Sequence, residues 1–219
     1  PLYKLFYAFT RIVLGVPKTG IIYEKKKRWP DGDREVSMTF AASIGEAARE
    51  KRPAAARTML AVVQPSEPEG QGSHVRDILA AHGGSANWQH IALRTPDLLG
   101  FHRHAGRHAV NFITPVMRDE EEDLLQVFSG ELYLPGAKAS GIFFEFVQRD
   151  LTPKLLERLK RRDRESFFRD RTFLGLYGEK EREYRGGRVA PIWDHALMER
   201  LLRLWDGKEL WEVTEADLP

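Results

Sequence analysis

Apolar residues recur along this chain with two different periods. Near the start, Leu2, Leu5, Phe6, Phe9, Ile12 and Val13 fall at the spacing of one helix face, and Gly15 and Pro17 close the run. Three strand-like stretches follow, over residues 20–27, 35–42 and 58–63. Trp29-Pro-Asp-Gly-Asp33 is a turn signal, and the charged, Ala-rich residues 43–57 read as a loop or short helix. From Asn87 the order repeats with a strand at its head: strand 87–95, helix 96–108, then strands 110–114, 124–133 and 141–149. Beyond residue 150, Leu155, Leu156 and Leu159 mark an amphipathic helix. Residues 192–205 mark another, with Trp193, Leu197, Leu201 and Leu204 on one side.

This order predicts an α+β fold of two βαβββ modules plus C-terminal helices. The expected divisions are 1–72 for the first module, 73–150 for the second and 151–219 for a helical extension. The first strand of the first module is expected upstream of Pro1.

Within the second repeat, each of three apolar strands carries one polar residue where a core residue belongs: His90, Gln126 and Glu145. Alternation puts Phe143, Glu145 and Val147 on one face of the last strand and Ile142, Phe144 and Phe146 on the other. An ionised Glu between aromatic residues is costly to bury without a partner. A divalent metal is one such partner, and a neutral imidazole is its natural co-ligand. Spacing alone leaves a second reading open: a half-exposed His and a solvent-facing Glu.

Composition narrows the field. The 219 residues include no cysteine, which excludes a disulfide framework, a thiolate metal site and a Cys nucleophile. The formal net charge is +2, too small a bias for a general nucleic-acid binder. No apolar run reaches membrane-spanning length and no signal-peptide pattern is present, so a cytoplasmic location is expected. The run Asp119–Asp123 reads as a solvated loop, and the basic runs at 25–28 and 160–164 as solvated faces. His104 and His108, four apart on the predicted helix, could pair on zinc, but with Arg103 and Arg107 beside them they read as an exposed face.

Three segments carry a family resemblance. Gln89-His-Ile-Ala-Leu93, Leu124-Leu-Gln-Val-Phe128 and Phe143-Phe-Glu-Phe-Val-Gln-Arg149 resemble, in order, three strands of the C-terminal half of the 4-hydroxyphenylpyruvate dioxygenase family, in the vicinal-oxygen-chelate superfamily. The resemblance covers roughly residues 20–150. It implies two βαβββ modules curled as a half-barrel around Fe(II), with His90 and Glu145 as ligands and the third ligand on the strand before Pro1. It assigns Gln126 and Gln89 to the catalytic surroundings, and Ser37, Ser66, His74, Phe128, Phe143, Phe173 and Tyr177 to the substrate.

The implied reaction is oxidative decarboxylation and hydroxylation of an aromatic or other 2-oxo acid by dioxygen. Implied alternatives are a mandelate-forming hydroxylase and a metal-free binding protein on the same scaffold. The expected partners are the small-molecule 2-oxo acid and dioxygen, with a homodimer as the expected assembly and no nucleic acid or membrane. Ser66 and His74 replace an Asn and a Gln of the family pattern, which points away from a 4-hydroxyphenyl substrate. Phe173 and Tyr177, with Gly175 and Gly178 as bending points, are expected either to close a lid over the metal or to pack a helix on the sheet.

Overall fold

The structure is a computed structural model that describes residues 2–28, 35–44, 58–68, 70–120, 123–149, 152–162 and 170–217. The turn at Trp29–Asp33, most of the 43–57 segment, Glu121, Glu122 and Asp163–Arg164 lie outside the described residues. So do the side chains of the basic strand end at 25–28 and those at 160–162. The fold is mixed α+β and divides into two compact units: Pro1–Asn87 with Asp150–Glu181, and Trp88–Arg149 with Arg182–Pro219.

The first unit holds α1 (Leu2–Ile12), β1 (Ile21–Arg28), β2 (Glu35–Ser43), β3 (Met59–Pro65) and α2 (His74–Ala81). It also holds α4 (Pro153–Arg162) and the larger part of α5 (Asp170–Arg185). The three strands form an antiparallel sheet in chain order. Strand alternation on central β2 sorts its residues. Phe40 and Ala42 meet Tyr3 and Val16 in one core, where the Tyr3 and Phe40 rings stand edge to face at 5.2 Å. Ser37, Thr39, Ala41 and Ser43 alternate with these and are fully buried. Val63, opposite Thr39 in the register, packs against Val75 of α2 and Leu174 and Tyr177 of α5. Ser73 N-caps α2 by accepting from Arg76 N, and its hydroxyl donates to Glu67 Oε1 at 2.9 Å.

The second unit holds β4 (His90–Arg94), α3 (Leu98–Arg107), β5 (Met117–Asp119), β6 (Leu124–Glu131), β7 (Phe143–Arg149) and α6 (His195–Leu204). Its sheet order is β4-β7-β6-β5, with β4 parallel to β7 and the other pairs antiparallel. Asp97 N-caps α3 by accepting from Gly100 N at 2.8 Å, and Gln148 Oε1 accepts from Leu98 N at 2.7 Å, fixing the helix start to β7. The Phe101 and Phe146 rings lie 4.3 Å apart and hold α3 on one sheet face.

Two expectations are corrected here. Residues 110–114 form no continuous strand: only Val110 and Phe112 make isolated bridges, to Trp193 and Ser129, and the edge strand beside β6 is β5 instead. Thr114 turns its hydroxyl to Phe128 N at 3.3 Å, and Pro115 has no N–H to extend a ladder. The last helix starts at His195, because Asp194 caps it, so Trp193 belongs to an extended segment. That segment is stitched to β6: Glu131 N donates to Ala190 O at 2.8 Å and Ile192 N to Glu131 O at 2.7 Å. Gly130 makes room for it, since a Cβ there would run into the Pro191 carbonyl.

Of the last helix's expected apolar side, Leu201 is buried with Met198 and Leu204 is exposed. In α4, Leu155 is buried, and the side chains of Leu156 and Leu159 lie outside the described residues. The structure runs α5 as one helix through Gly175 and Gly178, with no break at either.

Candidate metal centre

The register of the second sheet brings the polar residues of three strands onto one face. His90 of β4 pairs with Phe143 of β7, and Glu145 of β7 lies opposite Phe128 of β6. Gln126, two residues earlier on β6, lies opposite Val147. Partners across a ladder share a face, so His90, Phe143, Glu145, Phe128 and Gln126 point the same way. The opposite face of β7 carries Phe144 and Phe146, and α3 packs there.

His90 Nε2 stands 3.6 Å from Glu145 Oε2. That is too long for a hydrogen bond. Two donors on a common divalent ion stand about 3 to 3.4 Å apart, given ligand bonds of about 2.1 Å, so a shift of a few tenths of an ångström closes the pair on a cation. Gln89 Oε1 lies 3.1 Å from His90 Nδ1. As the amide oxygen only accepts, this bond places the ring proton on Nδ1 and leaves the Nε2 lone pair toward Glu145. The Phe143 ring stacks on His90 at 5.3 Å, and Phe128 meets Phe143 edge to face at 6.2 Å. Both phenyl rings are buried.

These apolar walls set the charge states. Burial holds the Glu145 carboxyl up to about 7, opposed by the Arg149 guanidinium. Burial also holds His90 down to about 4. About a quarter of the His90 side chain stays open to solvent, which limits that depression. Both shifts favour neutral forms, so near neutral pH the metal-free pair is an imidazole beside a half-protonated carboxyl, not an ion pair.

The donor types fit a divalent metal of borderline character. Among the described residues no third His, Asp or Glu joins them. Gln126 is 4% exposed, and its amide has no hydrogen-bond partner among the described residues.

The other expected site residues belong to the first unit. Ser37 Oγ lies 3.3 Å from Tyr177 Oη, and both residues are fully buried. Ser66 follows Pro65, which lies opposite Ser37 in the register, and its buried hydroxyl has no partner among the described residues. His74 is the first residue of α2 and Phe173 lies in α5; the side chains of both are outside the described residues. Of the pair Phe173 and Tyr177, Tyr177 is described in its contacts, which include Val75, Leu174 and Val63 in the core.

Sequence reasoning missed Thr39 and Ser43, whose fully buried hydroxyls also lack partners among the described residues. The signal was present: Ser37, Thr39, Ala41 and Ser43 are small residues at the two-residue period of one strand face. It also missed Gln148, whose position in a strand motif hid its role in fixing α3.

The paired donors and their sheet can be set beside known proteins. No protein-family model and no curated protein matches the chain. Among solved structures, the chain is similar to a triple mutant of 4-hydroxymandelate synthase from Streptomyces coelicolor. The likeness has a TM-score of 0.54 at 19% identity, over 83% of this chain and 51% of that one. The chain thus spans about half the length of the synthase. A methylmalonyl-CoA epimerase is similar at TM-score 0.44 and 15% identity, over 67% of this chain and 87% of the other. A mutant methylmalonyl-CoA epimerase of Streptomyces coelicolor in complex with 2-nitronate-propionyl-CoA gives 0.40 and 14%, over 68% and 88%. The likeness to the synthase is one of fold. No helix among the described residues is long and apolar enough to cross a membrane.

Proposed function

We propose that this chain carries part of a non-haem iron(II) centre that oxidises a 2-oxo acid with dioxygen, with residues 1–72 and 73–150 as paired modules and 151–219 as their extension. The observation that carries the reading is the convergence of His90 Nε2 and Glu145 Oε2 to 3.6 Å on one buried sheet face. His90 and Glu145 would hold the metal. Ferrous iron, when bound, supplies open coordination positions and the redox chemistry at which a 2-oxo acid and dioxygen meet.

The chain's own residues would do the rest. Gln89 fixes the His90 tautomer from Nδ1. Glu145 must give up its proton to bind, and its high pKa makes that release part of the metal affinity below pH of about 7. Gln126, buried on the same face, would turn its amide to a polar atom of the substrate, and the buried rings of Phe128 and Phe143 would keep water from the reacting group. The resemblance assigns the organic part of the substrate to Ser37, Ser66, His74, Phe173 and Tyr177.

The test is anaerobic reconstitution with Fe(II), metal analysis, and oxygen uptake with a panel of 2-oxo acids. Bound iron with oxo-acid-dependent uptake is expected, and its loss in Glu145→Gln. Only two donors gather among the described residues, which favours a second reading: a metal-free binding protein on the same scaffold. Absence of bound iron together with saturable binding of a 2-oxo acid would establish that alternative.

A further inference from the structure

A cavity of about 510 Å³ opens in the second unit between the C-terminal end of α3 and one face of α6. Its wall carries Arg107, His108, Arg200 and Arg203, with Leu197 and Ala109 as apolar surface and no carboxylate among the described residues. Like charges gathered with little counter-charge repel one another, and a bound anion relieves that repulsion. Arg107 and Arg200 make no hydrogen bond or ion pair with any described residue. Arg203 has only an exposed contact of 3.8 Å with Glu199 one helical turn away, of little energetic weight.

The guanidinium groups come from two elements, which makes this a cleft rather than one solvated helix face. Arg107 ends α3, while Arg200 and Arg203 lie three apart on α6. Two closing carbonyls of α3 are already occupied, since Val110 N donates to Ala105 O at 3.0 Å and Ala109 N to Gly106 O at 3.2 Å. Ala109 holds φ at 57°, a left-handed conformation that ordinarily selects glycine. The chain thus keeps a methyl group in the cavity wall at a position where glycine would be the relaxed choice.

We propose that this cleft binds a small phosphate monoester, its dianionic phosphate held by Arg107, Arg200 and Arg203 and its organic body against Leu197 and Ala109. Guanidinium groups suit this ligand because their fixed forks match phosphate oxygens in pairs, and a cleft of this size accepts more than a bare ion. The site stands apart from the His90–Glu145 centre in its residues and does not rest on the iron reading.

Calorimetric titration of the full chain, treated with chelator so that the metal centre plays no part, tests this with phenyl phosphate, inorganic phosphate and benzoate as probes. In about 0.15 M salt, phenyl phosphate should bind saturably and tighter than inorganic phosphate, with benzoate at least tenfold weaker. Arg200→Gln and Arg107→Gln should each weaken phenyl phosphate at least tenfold with unchanged melting temperature, while Arg103→Gln, on α3 but outside the wall, should leave it within twofold. No saturable binding, equal binding of benzoate, or equal weakening by Arg103→Gln would overturn the proposal. If Arg200→Gln fails to fold, Arg200→Lys retains the charge and loses the fork, and unchanged affinity in that variant also overturns it.

Discussion

The two units each bury polar residues on a sheet face, and they do it with different chemistry. On β2 of the first unit the residues are Ser37, Thr39 and Ser43, neutral hydroxyls with no exposed surface. In the second unit they are His90, Gln126 and Glu145, two of them titratable and both shifted toward their neutral forms. A buried hydroxyl without a partner costs about 1–3 kcal/mol and stays neutral at any ordinary pH. A buried carboxyl can shed its charge by taking a proton, or keep it by taking a cation. The first face therefore keeps one charge state at every ordinary pH. The second carries a carboxyl whose charge state changes near neutrality.

The largest effect expected from breaking that contrast is on metal affinity. Glu145→Gln keeps the shape and removes the anionic donor, so iron affinity should fall at least a hundredfold, read by metal analysis after dialysis against a competing chelator. Gln89→Ala, which frees the His90 ring, should cost about tenfold to a hundredfold. Unchanged iron content in Glu145→Gln would remove the metal reading altogether.

The same carboxyl makes the metal-free protein pH-dependent. Glu145 sits at about 7 against an ordinary 4.5, so the folded state holds the proton more tightly than the unfolded state does. Stability present below pH 4.5 is therefore lost as pH rises through 7, by about 3 kcal/mol at most. His90, held down, works in the opposite sense below its ordinary 6.5, so the total curve is flattened there. The difference between wild type and Glu145→Gln isolates the carboxyl: the variant should gain stability relative to wild type as pH rises from 5 to 8, measured by urea unfolding of the metal-free proteins. A constant difference across that range would show that Glu145 is solvated. Substitutions on the hydroxyl face of β2 should shift stability equally at every pH.

Much of this contrast was legible from residue order alone. Alternation around Glu145 predicted its face, and the Gln89–Leu93, Leu124–Phe128 and Phe143–Arg149 segments fall on β4, β6 and β7. Register was not legible. Nothing in the sequence fixes that β4 runs parallel to β7 with His90 beside Phe143, since the partner of an edge strand is a tertiary choice. The 110–114 run reads as a strand by composition, but its hydrogen bonds go to Ile192 and Phe128 as single bridges. Only the chain returning through 189–193, threaded past Gly130, explains that. Gly130→Ala should accordingly destabilise by about 2–4 kcal/mol, because backbone rather than a flexible side chain stands where its Cβ would go.

A panel of 2-oxo acids sharpens the recognition half of the comparison. With Ser66 and His74 in place of the family's amides, 4-hydroxyphenylpyruvate should be turned over at least tenfold less efficiently than the best substrate, measured as kcat/KM from oxygen uptake. Clear preference for 4-hydroxyphenylpyruvate would show that these two positions do not set selectivity.

The smallest effects belong to the hydroxyls themselves. Thr39→Val removes an unpartnered buried hydroxyl at nearly constant volume, so it should stabilise the free protein by about 1 kcal/mol. Ser37→Ala and Tyr177→Phe each break the 3.3 Å contact between two fully buried hydroxyls and should each cost about 0.5–1.5 kcal/mol. The contact is long for an O–H···O bond, so the coupling energy in a double-mutant cycle should sit at the low end, about 0.5 kcal/mol. If Thr39 serves a ligand, Thr39→Val must also weaken that ligand while raising stability, an inverse relation that a purely structural hydroxyl cannot produce. Thermal denaturation with and without a 2-oxo acid reads both quantities at once. A variant that is more stable and binds the acid as before would reduce the β2 face to ordinary core, and leave ligand chemistry to the sheet that carries His90 and Glu145.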